Sequence, residues 1–133
     1  MHADYFVDLA DSAEPYYRSS ERESWLSRVE GEIANLRAVF DRSAARQINP
    51  EAGLRLVGSL GWFCHLRGHL AEGRQWAEAM LKLADTSGST GLRARALFPA
   101  GGLAWSQSDY RTAVRRLEES SVLFRKLKNP FWQ

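Results

Sequence analysis

The sequence predicts an all-α fold, an α-α superhelix of about six helices that pair as antiparallel hairpins. Three observations lead to this prediction. The apolar-polar alternation of β-strands is nearly absent, and most stretches between turn signals carry apolar residues at helical spacing. The chain has 133 residues, 44% hydrophobic and 26% charged, which suits one domain or a few stacked repeats. Glycine, proline and capping residues divide it into segments of helical length.

The first two helices are predicted over residues 4–18 and 21–46. The first should break or kink near Pro15, because proline lacks an NH and clashes with the preceding turn. Ser20 and Glu23 have the spacing of a capping box at the start of the second helix. The apolar residues of that helix form one continuous stripe, made of Trp25, Leu26, Val29, Ile33, Leu36 and Phe40.

The third and fourth helices form a predicted hairpin. Asn49 is a suitable N-cap, and Pro50 fits the first helical position, where its missing NH has no cost. This helix runs to about Arg67, and Gly68 fits a left-handed C-terminal cap. The fourth helix carries the next apolar stripe, made of Leu70, Gly73, Trp76, Ala77, Met80, Leu81 and Ala84.

A second hairpin follows a surface loop predicted over residues 86–91. The fifth helix runs to about Gln107, and Asp109 caps the sixth. Pro99 lies inside the fifth helix. We expect it to kink the helix, at about 3 kcal/mol if nothing compensates for the lost hydrogen bond.

Shifting the chain by 40 residues aligns the two hairpins with each other. Small residues then recur where the helices of each hairpin should cross, Gly61 with Gly73 and Gly101 with Ala113. One hairpin cannot bury its apolar face alone, so stacked hairpins with a shared core are the expected solution.

The second hairpin resembles the tetratricopeptide repeat (TPR). Two small residues flank a Gly-Asp-Tyr-like turn at the expected spacings; the residues are Gly101, Ser108, Asp109, Tyr110 and Ala113. The resemblance covers about residues 54–85 and 94–125. The departures are the 40-residue period, which the loop would explain as an insertion, and the serines at 108, 120 and 121.

Most of the chain also resembles the helical repeat region of large bacterial transcriptional regulators. In that family the region follows an NTPase switch module of the AP-ATPase/NB-ARC kind, and a winged-helix or LuxR-type DNA-binding domain lies elsewhere. The resemblance is carried by Tyr5-Phe6-Val7-Asp8-Leu9-Ala10, Ala13-Glu14-Pro15, Trp25-Leu26-Ser27-Arg28-Val29-Glu30, Asn35-Leu36-Arg37-Ala38, Trp62-Phe63, Leu66-Arg67-Gly68-His69 and Glu72-Gly73-Arg74.

The resemblance implies that the chain is a fragment forming one TPR-like domain over residues 1–133. Within it we expect an N-terminal helical pair (1–47), two repeats (50–85 and 89–128) and the truncated start of another (129–133). Neither the NTPase nor the DNA-binding element is expected in these residues. The implied function is a non-catalytic interaction or effector-sensing module. We expect a cytoplasmic location, because the sequence shows neither a signal-peptide pattern nor an apolar run long enough for a membrane span.

The resemblance also implies a partner-binding groove along the first helix of each hairpin. Carried over position by position, it places six residues there: Arg55, Trp62, His65, Arg95, Phe98 and Trp105. Aromatic and arginine side chains are frequent interface anchors. The alternative is that the tryptophans pack between helices and that the arginines are ordinary surface charges.

Catalytic, metal and cofactor sites are not predicted. Cys64 and His65 diverge by about 100° on a helix, so they cannot form a nucleophile–base pair. His65 and His69 have metal-binding spacing, but Gly68 should end the helix between them and only Glu72 is available as a third ligand.

Charge runs along the chain, with 6 basic and 9 acidic residues in 1–50 (net −3) and 8 basic and 3 acidic in 89–133 (net +5). This polarity suits docking to neighbouring domains of a larger protein or head-to-tail contacts. Exposed end helices would also let two copies pair as a homodimer. The alternative function is nucleic-acid binding by the basic C-terminal helices, but the basic residues are sparse for such a footprint. No membrane span is expected.

Overall fold

A computed structural model describes residues 3–84 and 90–128, and all regular elements in these ranges are helices. The all-α prediction is confirmed, with seven α-helices and one 3-10 helix among the described residues. They are α1 (Ala3–Ala13), the 3-10 helix η1 (Glu14–Arg18), α2 (Arg22–Gly31), α3 (Ile33–Ala44), α4 (Pro50–Arg67), α5 (Leu70–Ala84), α6 (Thr90–Ser106) and α7 (Tyr110–Lys128).

Each of the last two helix pairs packs as an antiparallel hairpin. Gly73 near the start of α5 lies against Cys64 near the end of α4. In the second hairpin, Gly101 of α6 lies against Leu117 of α7, and Ser120 Oγ donates to the Ala94 carbonyl at 3.1 Å. Both hairpins therefore have the arrangement that the sequence predicts.

The hairpins stack with their first helices side by side and parallel. Gly61 of α4 lies against Pro99 of α6, and further along both helices His65 Nδ1 is 3.1 Å from Ser106 Oγ. Helix α1 lies along α4 in the same sense, because Asp8 pairs with Arg55 whereas Asp11 reaches both Arg55 and Ser59, one turn further on. Helices α1, α4 and α6 therefore form one layer.

The second layer contains α3, α5 and α7. Phe40 of α3 stacks on Trp76 of α5 at 4.3 Å between ring centroids, and Arg116 of α7 pairs with Glu78 of α5. A continuous apolar core lies between the layers, and its largest members include Leu36, Phe40, Leu60, Phe63, Leu81, Leu97 and Leu103. Whether this two-layer stack winds as a TPR superhelix stays a prediction.

The glycine pairing predicted in the first hairpin is wrong. A Cβ on Gly61 would overlap Pro99 of α6, whereas a Cβ on Gly73 would lie 2.8 Å from Cys64 Sγ. The two glycines therefore serve different contacts, one between hairpins and one within a hairpin. Gly101 does face Ala113, whose carbonyl oxygen would lie 3.3 Å from an added Cβ.

The predicted second helix is two helices in the structure, separated at Glu32. The Glu32 NH bonds to the Val29 carbonyl, and Glu32 accepts a side-chain bond from Asn35 at the start of α3. The break lets α2 pack on α1 and η1 while α3 packs on α4 and α5. A continuous apolar stripe does not reveal that its two halves face different partners.

The capping box predicted for α2 is also wrong. Ser19, rather than Ser20, accepts a bond from the Glu21 NH at 3.1 Å, and α2 begins at Arg22 without a side-chain cap. Pro15 ends α1 early, as predicted, and the chain continues as η1.

Other predicted boundaries are confirmed. Asn49 accepts from the Glu51 NH, Gly68 is left-handed with φ 78°, and Asp109 accepts from the Thr112 NH at 3.3 Å. In the predicted loop over 86–91, positions 90 and 91 belong to α6, whereas residues 85–89 lie outside the described residues. The predicted repeat start at 129–133 is outside them too. Helix α6 continues through Pro99, and the predicted kink stays a prediction.

Three helices end in the same left-handed turn. Arg46, Gly68 and Ser108 have φ values of 58°, 78° and 63° after α3, α4 and α6. In each case the NH of the next residue bonds to the carbonyl five residues before it, which closes the helix end. The 40-residue shift aligns Gly68 with Ser108, so two turns of one geometry use different residues.

Ion pairs of arginine side chains connect the two hairpins with each other and the two helices of the last hairpin. Arg74 of α5 pairs with Asp109, which caps α7 in the last hairpin, and Arg93 Nε lies 2.7 Å from Glu119 Oε2. Glu30 Oε1 of α2 lies 3.0 Å from His69 Nε2 in the turn between α4 and α5. The acidic start of the chain is partly neutralised internally because later arginines fold back onto it.

We predict that Ser108→Gly raises the free energy of unfolding by roughly 1 kcal/mol, because a residue with a Cβ pays for the left-handed conformation. Gly68→Ala should lower it by a similar amount, since the same strain is then introduced. Urea denaturation measures both changes. Equal stability of the wild type and both variants would contradict the assigned turns.

We predict that Asp109→Asn makes stability less dependent on acid pH. The Arg74 guanidinium, helped by the Thr112 NH, holds the pKa of Asp109 below its usual 3.8. Its stabilising contribution is therefore present above about pH 4 and is lost as the pH falls through the lowered value.

Melting temperatures from about pH 6 down to about pH 2 measure this effect. The Asn variant should melt lower than the wild type at the upper pH, and the two curves should converge at the lower pH. Asn can still cap α7, so a pH-independent difference would contradict the ion-pair account.

Candidate ligand-binding groove

A groove of about 610 Å³ lies between the parallel helices α4 and α6. We call it the aromatic groove. Trp62 of α4, Phe98 and Trp105 of α6, and Phe124 of α7 line it. The 3-10 helix η1 contributes Glu14 and Arg18. Its volume lies in the range of small-molecule sites, about 300–1,000 Å³.

Five of the six predicted groove residues line it. They are Trp62, His65, Arg95, Phe98 and Trp105. Arg55 is the exception and corrects the prediction. Its guanidinium lies 2.6 Å from Asp11 and 3.7 Å from Asp8, because α1 covers that side of α4. Aligning the two repeats could not predict this contact, because it comes from the acidic helix α1, which lies outside both repeats.

The aromatic side chains of the groove remain open to solvent. Phe98 is 64% exposed, Trp105 56% and Trp62 45%, whereas the neighbouring Phe63 is fully buried in the core. Trp62 stacks on His65 at 5.5 Å, and Trp105 makes an edge contact with Tyr110 at 4.8 Å. The reading in which Trp62 and Trp105 pack mostly between helices is therefore wrong.

Small residues make the floor of the groove. Gly61 permits contact with Pro99, and Gly58 leaves room for Arg95, whose Cβ would lie 3.5 Å from an added Cβ. Gly102 is exposed, and an added Cβ there meets no other atom within 4 Å. The groove exists because α4 and α6 carry no side chains at these positions.

One end of the groove is charged. Arg95 Nη2 lies 3.5 Å from Glu14 Oε2, at the long end of ion-pair distances. Arg18 also lines the groove and makes no ion pair with the described residues. Arg95 is thus not an isolated surface charge, since it connects α6 to η1 across α4.

His65 and Ser106 are close enough to be considered as a base and a nucleophile. His65 Nδ1 lies 3.1 Å from Ser106 Oγ, and within residues 3–84 and 90–128 the imidazole otherwise stacks on Trp62, with no carboxylate to orient it. Ser106 ends α6, and the carbonyl dipoles of a helix C-terminus disfavour a developing oxyanion. The arrangement therefore suits a polar contact to a bound molecule better than acyl transfer.

The other reactive side chains lie away from the groove. Burial raises the pKa of Cys64 to about 12, so its thiol stays protonated at neutral pH. His69 bonds to Glu30 and stacks on Phe63. Among the described residues, no three His, Cys, Asp or Glu side chains are grouped to hold a metal.

Sequence reasoning missed several groove residues. Gly58, Gly102 and Ser106 lie at helical spacing from the predicted Trp62, Phe98 and Trp105, so periodicity alone would have added them. The residues from other elements had no comparable signal, because their positions depend on how η1 and α7 pack; they are Glu14, Arg18, Leu117 and Phe124.

Comparisons with protein-family models, curated proteins and solved structures gave no match. Within residues 3–84 and 90–128, no helix combines the length and apolar character needed to cross a bilayer.

We predict that Trp62→Ala lowers the free energy of unfolding by no more than about 1.5 kcal/mol, because half of the side chain is already exposed. Phe63→Ala, at the neighbouring buried position, should lower it by about 3–5 kcal/mol because it leaves a cavity in the core. Chemical denaturation measures both. Similar losses for the two variants would place Trp62 in the core.

Proposed function

We propose that the chain is a non-catalytic binding module of a bacterial transcriptional regulator, which holds a protein segment, peptide or small effector in the aromatic groove. The observation that carries this proposal is the exposure of Trp62, Phe98 and Trp105 along one groove. Large apolar side chains gathered at the surface are typical of binding sites, and aromatic residues commonly anchor them.

A signalling role follows from the way the groove is built. Its walls belong to different units, with α4 in one hairpin, α6 in the next and η1 in the N-terminal segment. A ligand that contacts all three favours one spacing of these units over others. In a larger regulator, this bias would pass to neighbouring domains in the cytoplasm.

Helix α7 offers a second surface for such contacts. Tyr110, Val114 and Val122 are exposed on it, each by more than a third of its surface. This face supports docking of a neighbouring domain of the parent regulator. Pairing of two copies through it is the alternative, and sedimentation would reveal it as a dimer.

Direct nucleic-acid binding by α7 has less support. Arg116 is taken up by ion pairs with Glu78 and Glu119, which leaves Arg111 and Arg115 as exposed arginines in the first half of the helix. A phosphate-binding face generally needs a denser set of basic side chains. Absence of duplex DNA binding at low salt would remove this alternative.

We predict that Gly102→Leu abolishes ligand binding without unfolding the protein. The added side chain enters the groove, because nothing packs within 4 Å of its Cβ, and replacing a helical glycine is itself stabilising by roughly 1 kcal/mol. Gly31→Leu is the matched control, since Gly31 lies in α2, has the same open surroundings and does not line the groove.

The measurement is thermal stabilisation by a defined panel of short peptides and small metabolites. Ligands of the groove should raise the melting temperature of the wild type and of Gly31→Leu, but not that of Gly102→Leu. A panel that stabilises neither the wild type nor the control, or that stabilises all three proteins equally, would overturn the proposal.

A further inference from the structure

The two ends of the aromatic groove differ in chemical character. Because α4 and α6 are parallel, Gly58 and Arg95 lie together at one end, where Glu14 of η1 reaches Arg95. The opposite end is formed by the indole of Trp105 and the His65–Ser106 contact. A ligand that fits the whole groove therefore needs a charged end and an apolar end.

The charged side chains that line the groove include more positive than negative groups. Arg18 and Arg95 supply two guanidinium groups to the lining, and Glu14 supplies one carboxylate, which contacts Arg95. The Glu14–Arg95 contact is 3.5 Å long, and both side chains are 40% exposed or more, so water screens the pair and it is weak. An incoming anion can therefore take the place of Glu14 at Arg95.

The apolar end favours flat rings. Phe98 and Trp105 are the most exposed aromatic side chains lining the groove, and ring faces pack best on other planar groups. The groove volume of about 610 Å³ suits a molecule of two or three rings better than a folded protein segment.

We propose that the ligand of the aromatic groove is a small organic anion built on an aromatic ring system. Its rings lie on Phe98 and Trp105, and its acid group displaces Glu14 from Arg95. This inference rests on the proposed function and adds the chemical class of the effector. Glu14 is then an internal competitor, which occupies Arg95 when no ligand is bound.

The test compares two fluorescent dyes on the same ring framework. Anilinonaphthalene sulfonate carries an anionic group, and phenylnaphthylamine lacks it. The wild-type protein should bind the sulfonate roughly tenfold more tightly than the amine, because charge-assisted hydrogen bonds to arginine are stronger than neutral ones. Gly102→Leu should remove the binding of both dyes.

Two substitutions should act in opposite directions. Arg95→Gln should bring the two affinities to within about a factor of two, by removing the preference for the sulfonate. Glu14→Gln should tighten sulfonate binding and leave amine binding unchanged, which loss of folding cannot imitate. Arg115→Gln, a charge-matched control on the exposed face of α7, should leave both affinities unchanged.

The outcomes separate this inference from the proposed function. If Gly102→Leu blocks both dyes but the wild type binds them equally, the groove is a binding site and its assignment to anions is wrong. Weaker sulfonate binding in Glu14→Gln also overturns the assignment. If neither dye binds, or if both bind Gly102→Leu as they bind the wild type, the dyes give the groove no support and the anion assignment fails with it.

Discussion

The close approach of α4 and α6 at Gly61 and Pro99 is the constraint on which the rest of the structure depends. No side chain larger than hydrogen fits at Gly61, so the proline ring of the next hairpin lies directly on the α4 backbone. Proline leaves the Arg95 carbonyl without its helical partner, and that carbonyl lies beside Gly58, 3.7 Å from where a Cβ would be. The same absence of side chains that lets the two helices stack also produces the groove above them.

Contacts between charged side chains also favour one register of the stacked helices. Acidic side chains of α1 and η1 pair with Arg55 of α4 and Arg95 of α6, and Glu30 of α2 is hydrogen-bonded to His69 in the turn before α5. Part of the charge gradient along the sequence is therefore neutralised by ion pairs within the molecule. These pairs are partly exposed, and each contributes little to stability, but together they favour one register of neighbouring helices over others.

The sequence predicts the local structure well where one residue decides it. Asn49, Gly68 and Asp109 mark helix ends through their own side chains or backbone freedom, and all three are confirmed. It fails where a tertiary contact decides. The break at Glu32 reflects a change of packing partner. Ser108 adopts a left-handed conformation that a serine does not predict. The groove shows the same contrast. Its residues on α4 and α6 recur at helical spacing and can be predicted, whereas its residues on η1 and α7 are brought to it by tertiary packing.

The contact between Gly61 and Pro99 can be observed directly in the wild-type protein by nuclear Overhauser spectroscopy. The account predicts strong cross-peaks from the Gly61 α-protons to the Pro99 ring protons, because these groups touch. Cross-peaks from Gly61 to Gly73, with none to Pro99, would instead support the helix crossing that sequence periodicity suggests. That result would contradict the parallel stacking of α4 and α6, and with it the groove.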